Sequence, residues 1–156
     1  MSIETWKQEF YPVSAEEAVV DAITAVDHSI KKWEGLRPNT LASHRICTSA
    51  SNRHIGDFTA LHDIDSQFVI AAETCALCVL NEYRCGSKYY GCDMCPIVEV
   101  TGRPCDDSFY DDDDEEDVSP WNTWLLTADP EPMIALLYQT RDGIINPENI
   151  QHDESI

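Results

Sequence analysis

Four cysteines in two close pairs, Cys75-Ala-Leu-Cys78 and Cys92-Asp-Met-Cys95 with 13 residues between the pairs, are the residues of this chain best suited to chemistry. A CxxC turn aims two thiolates at one centre while its backbone amides hydrogen-bond the sulfurs, and Zn²⁺ takes four such soft ligands in a tetrahedron. Cys75 and Cys78 are assigned first, then Cys95. For the fourth position Cys92 precedes Cys105, which follows a Gly102 and Pro104 turn, and Cys85 in the intervening loop is a further alternate. A catalytic zinc keeps one position open and draws on His or carboxylate, whereas the close-set ligands here are all Cys. The expected metal is therefore structural, contributing folding free energy on the order of 10 kcal/mol by analogy with zinc-finger peptides. A thioredoxin-like redox pair would need a surrounding βαβ pattern, and none is visible. Cys47, at the end of a predicted helix, is expected to be a buried thiol.

A second feature follows at once. Asp106 and Asp107, then the unbroken run Asp111, Asp112, Asp113, Asp114, Glu115, Glu116 and Asp117, surround Ser108, Phe109 and Tyr110. Like charges at this density repel, so the segment is expected to be an exposed loop. Its bland reading is a solvated strip with no partner. Its functional reading is a partner-facing surface, Tyr110 with Asp111 to Asp117, that imitates a nucleic-acid backbone or docks on a basic groove of another protein. The run lacks the D-x-D-x-D-G order and closing Glu of an EF-hand.

The composition sharpens that contrast. The 156 residues carry 10 Lys and Arg against 29 Asp and Glu, a formal charge of −19, of which residues 1–105 hold −5 and residues 106–156 hold −14. Direct nucleic-acid binding is disfavoured, since it is driven by releasing counterions from phosphates onto cations. An anionic membrane surface is disfavoured on the same ground. No stretch of about 18 apolar residues is present, and the N-terminal MSIETWKQEFYP has no leader-like apolar core, so a soluble, unexported protein is expected. Seven cysteines in that setting are better explained by metal than by disulfides, which reducing compartments do not sustain. The five histidines fall in no HExxH or closely spaced pair and read as surface or hydrogen-bonded residues; no P-loop, G-x-S-x-G or dinucleotide fingerprint occurs.

The elements that must position these residues are partly legible. Ser14 and Glu17 form a capping-box pattern, Ala18, Val19, Ala22, Ile23, Val26, Ile30 and Trp33 recur at helical spacing, and Gly35 offers a stop, which predicts a helix over 15–33. Pro12 is expected to keep the WKQEFYP segment extended. A short helix from Thr40 to Ile46 would be capped by Asn39 or Thr40. Residues 47–66 read as loop with a helical turn near Leu61, and 67–71 as a strand. Pro96 could open a helix through Val100 that returns Cys105 toward the metal. Trp121 and Trp124 would anchor a C-terminal helix over 130–141, capped by Asp129 and stopped by Gly143, before a frayed tail from Asn146 to Ile156. The fold class expected is a single small, helix-rich α+β domain over 1–145 with a four-cysteine zinc-knuckle module.

Three stretches carry a resemblance: W-K-x-E-F-Y-P (Trp6 to Pro12), D-H-S-x-x-K-W-x-G-L-R-P (Asp27 to Pro38), and C-x-L-C with C-x-x-C-P and a later G-x-x-C (Cys75, Cys78, Cys92, Cys95, Cys105). Over about two thirds of its length the chain resembles small, uncharacterised cysteine-rich (CxxC) proteins of tailed bacteriophages. The resemblance implies a place in the cytoplasm of an infected bacterial cell and supplies no activity to carry over. Cys85 and the aspartate run depart from its pattern. The function expected is a zinc-stabilised acidic binding protein that engages a host protein with a basic surface, as an inhibitor of a DNA-handling or defence enzyme by charge mimicry. The alternatives are a small metal-dependent hydrolase or nuclease, and a structural or regulatory zinc module with no inhibitory role.

Overall fold

A computed structural model describes residues 2–49, 52–57, 67–86, 94–105 and 119–146. Within them the chain is a helix-rich α+β fold: α1 (Ile3–Phe10), α2 (Ala22–Glu34), α3 (Pro38–Ser43), β1 (Ile46–Thr48), β2 (His54–Asp57), β3 (Phe68–Val69), α4 (Ala76–Cys85), α5 (Pro96–Thr101), α6 (Pro120–Thr127) and α7 (Glu131–Ile145). The strands form one antiparallel sheet with β2 central, Cys47 opposite Gly56 and Ile55 opposite both Thr48 and Phe68. No described helix is long and apolar enough to cross a membrane.

Two expectations about the N-terminal third are corrected. The segment predicted to be extended is instead α1: Ser2 and Thr5 cap each other reciprocally, and Ile3 N–H donates to Asp57 Oδ1 at 2.6 Å, fixing the helix to β2. Pro12 constrains only the residue before it, and that residue, Tyr11, is where α1 ends. The fully buried Trp6 then donates its indole N–H to Gly35 O at 2.8 Å. The helix predicted from residue 15 starts only at Ala22. Ser14 and Glu17 close a single turn, with Glu17 N–H on Ser14 Oγ and Ser14 Oγ on the Glu17 carboxylate. Asp21 then restarts the chain as a true cap, its carboxylate accepting Thr24 N–H at 2.7 Å, the geometry that satisfies an orphan donor at a helix start.

Further along, Pro38 at the first position opens α3 two residues earlier than expected, and the chain turns through His44 and Arg45 into β1. The segment read as loop after residue 46 holds the β1–β2 hairpin, so Cys47 lies half-buried in a strand and not at a helix end. The strand read at 67–71 is present as β3, shorter than expected; the turn near Leu61 lies outside the described residues. His28 and His44 are buried and hydrogen-bonded. His28 Nε2 donates to Val13 O at 2.8 Å, Nδ1 is buried with no hydrogen-bond partner among the described residues, and burial lowers the pKa of the ring.

The helices pack around α2, which meets α4 on one side and α7 on another, while α5 and α6 lie on α7. Trp124 is fully buried, stands edge-on to Trp33 at 5.4 Å and donates its indole N–H to Asn52 O at 2.7 Å. Asn52, in the left-handed region at φ 60°, returns the bond by donating Nδ2 to Leu125 O at 3.0 Å. Gly143 does not stop α7, as its position suggested; the helix runs through it to Ile145 because Val100 of α5 packs where a side chain would stand. Ala in place of Gly inside a helix ordinarily stabilises, but here the added Cβ overlaps Val100. Gly143→Ala is expected to lose about 1–3 kcal/mol in urea unfolding, and a variant as stable as the parent would show that α5 and α7 do not approach this closely.

Candidate metal centre

The predicted ligands sit at element junctions, where backbone geometry fixes them. A 3₁₀ turn over Ala72–Thr74 leads into Cys75, which is the residue before α4, and Cys78 occupies the first turn of that helix. Cys95 stands in the same relation to α5, with Pro96 pre-set at its first position. Gly102 at φ 78° ends α5, and the chain turns back to deliver Cys105, whose carbonyl accepts the Trp121 N–H at 3.1 Å. The short helix expected from Pro96, and the return of Cys105 that it was expected to bring about, are both present.

Cys75, Cys78 and Cys105 line one cavity of about 300 Å³ together with Lys32, Trp33 and Trp121, and with apolar side chains from α5 and α7. Cys95 is buried and close enough to act on Cys78 electrostatically, as Cys75 and Cys105 do. Cys75 and Cys78 share a hydrogen bond between sulfurs: it holds Cys75 well below the ordinary thiol range and, with burial, pushes Cys78 up. Ser29 Oγ lies 3.9 Å from Cys75 Sγ. No disulfide joins the described cysteines. Among the described residues no group of three or more Cys, His, Asp or Glu side chains is assembled as a metal-ligand set.

Cys85 has a different partner. It is the last residue of α4 and its thiol donates to Asn81 Oδ1 at 3.7 Å. Cys92, Tyr110 and Asp111 to Asp117 lie outside the described residues, as do residues 147–156.

Three contributors escaped the sequence reading. Lys32 is fully buried in α2, its ammonium donating to Thr74 O at 3.1 Å just before Cys75. Burial lowers its pKa, and the sulfurs of Cys75, Cys78 and Cys105 act in the opposite direction. Its place in a mixed Lys-Lys-Trp stretch gave no sign that it points inward. Asn81, also buried, accepts Met94 N–H at 2.8 Å, and Arg84 donates to Met94 O at 3.2 Å and to Glu99 Oε1 at 2.7 Å. These two side chains clamp α4 to the stretch of chain that delivers Cys95. An Asn and an Arg on the exposed-looking end of a helix carry no such signal in sequence.

Chemically, the described residues of the cavity wall offer three thiols, the buried Lys32 ammonium and the Arg53 guanidinium, with Cys95 close by. That donor set suits a soft metal centre. No protein-family model, curated protein or solved structure matches the chain.

Proposed function

We propose that the chain is an acidic, metal-stabilised binding protein of phage type that acts in the cytoplasm of an infected bacterial cell, engaging a host protein through a basic surface on that partner. The metal is held by Cys75, Cys78, Cys95 and Cys105, a soft tetrahedral set of the kind zinc accepts; Cys105 takes the position that sequence order had offered first to Cys92. The inhibitory role on a DNA-handling or defence enzyme follows from charge: a strip of carboxylates competes for a groove built to hold phosphates.

The observation that carries this reading is where the acidic segment is tethered. Residues 106–118 hold nine carboxylates, and the residues flanking them are joined by the Trp121 N–H to Cys105 O hydrogen bond. The described residues on either side of this segment, Cys105 and Trp121, therefore lie together, and both line the cysteine cavity. Ser119, which closes the segment, is buried and caps α6 by accepting Asn122 N–H at 3.1 Å.

Replacing Asp111 to Asp117 by Ser and Gly is the test. In capture from bacterial lysate, the parent is expected to retain a basic partner at low salt and release it as salt rises. The variant is expected to associate with that partner more slowly by a factor of about 10 to 1,000. Equal association by parent and variant would remove charge mimicry and leave a structural module.

A further inference from the structure

We infer that the cavity beside the cysteines binds a small organic anion, a carboxylate on an apolar body, whose charged end meets Lys32 and Arg53 and whose body lies against Trp33 and Trp121. The inference goes beyond the preceding reading and does not depend on it: a metal would be held by the sulfurs, the anion by two nitrogen cations and the apolar wall. Small-molecule sites begin at about 300 Å³ and combine a mostly apolar wall with a few polar groups that fix orientation. This cavity encloses about 300 Å³, and its apolar wall is Trp33, Ile97, Trp121, Met133 and Leu137. The two indoles meet edge to face at 6.2 Å.

Charge selects the class of ligand. The chain carries 29 Asp and Glu against 10 Lys and Arg, yet the described wall of this cavity holds two of the cations and none of the acids. Among the described residues no carboxylate pairs with either cation. Lys32 is fully buried; of its three N–H donors, one reaches Thr74 O at 3.1 Å, and the ammonium stands 5.4 Å from the centroid of the Trp33 ring. A buried charge is ordinarily paired, and an anion in the cavity completes that pairing. Arg53 is exposed and so stands where the cavity meets solvent. Its guanidinium stays charged in any surroundings and presents a planar fork matched to a carboxylate. Its backbone is held in place, Arg53 O accepting Ile70 N–H at 2.7 Å and the preceding Asn52 donating to Leu125 O at 3.0 Å. Where the sulfurs carry a metal they share Lys32 with the anion; Arg53 is the cation left wholly to it.

The test is NMR titration of the full, nitrogen-labelled chain with benzoate, phenylacetate and hexanoate, and with benzyl alcohol and benzylamine as neutral and cationic analogues. The indole N–H signals of Trp33 and Trp121 are expected to move and saturate with at least one carboxylate at millimolar concentration or below. That of Trp6, buried and bonded to Gly35 O, is expected to stay. Benzyl alcohol should bind more weakly than benzoate by about tenfold or more, the difference a charge-assisted pair makes, and benzylamine should not bind. Arg53→Gln is expected to weaken carboxylate binding several-fold with metal content unchanged, while Lys31→Gln, which removes the same charge from an exposed position of α2, binds as the parent does. Should Arg53→Gln fail to fold, the comparison of benzoate with benzyl alcohol on the parent decides alone. Unmoved Trp33 and Trp121 signals with all three carboxylates, an alcohol that binds as tightly as the acid, or the same affinity in Arg53→Gln as in Lys31→Gln would each overturn the site. The metal is assayed separately, so none of these outcomes touches the preceding reading.

Discussion

If the cysteines hold a metal as proposed, Cys78→Ser is expected to abolish its binding and to loosen one region far more than the rest. The thiol lies in the first turn of α4 against Cys75, and α4 is tied to the residues before α5 by the hydrogen bonds of Asn81 and Arg84 to Met94. A structural metal in a small peptide contributes on the order of 10 kcal/mol; in a chain with a separate apolar core around α2 the loss should be a fraction of that, several kcal/mol, concentrated in α4, α5 and the start of α6. Amide exchange would show it as lost protection between Thr74 and Cys105, while α2 and the β1–β2 hairpin keep theirs. Unchanged protection after metal loss would mean that the centre does not hold this region together.

Lys32→Met provides the electrostatic counterpart. Replacing a buried charge by an apolar side chain of similar volume is commonly neutral or stabilising. If the thiols carry the negative charge of a metal centre, the same replacement removes its only buried counter-charge among the described cavity residues, and metal retention should weaken together with stability. A more stable Lys32→Met with undiminished metal content would place that counter-charge elsewhere.

Trp124→Ala is expected to cost about 3–5 kcal/mol in urea unfolding, the range for deleting a large buried aromatic. The indole is fully enclosed and makes an aromatic contact with Trp33, and its N–H is the partner of the Asn52 carbonyl in the left-handed turn before β2. Removing it leaves a cavity and an unpaired carbonyl at once. Trp124→Phe should recover part of the packing but not the hydrogen bond. A loss below about 1 kcal/mol for Trp124→Ala would contradict the burial of α6.

Several features of this fold were written locally. The apolar spacing that ends at Trp33, the Pro-first start of α5 and the pairing of Trp121 with Trp124 each follow from neighbours within a turn or two, and those elements are present. Errors arose where two local signals competed. Ser14 with Glu17 and Asp21 are both acceptable helix starts, and the tie went to Asp21; Gly143 resembles a stop until Val100 is seen against it. β1 and β2 were missed because strands of three and four residues carry too little alternation to register, and short strands draw their stability from cross-strand partners.

For the candidate site, the sequence by itself determined that cysteines stand in two close pairs, because CxxC spacing is a local property of one turn, and that the negative charge is concentrated in one segment. Only the tertiary structure decided that Cys105 lies at the cavity with Cys75 and Cys78, that Cys85 turns to Asn81, and that Lys32 faces the sulfurs from a helix far earlier in the chain. The physical reason is range. A turn motif is fixed by torsions of adjacent residues, whereas the direction in which a lysine or a lone cysteine points is fixed by which helices pack together, and that depends on apolar surface spread over the whole chain.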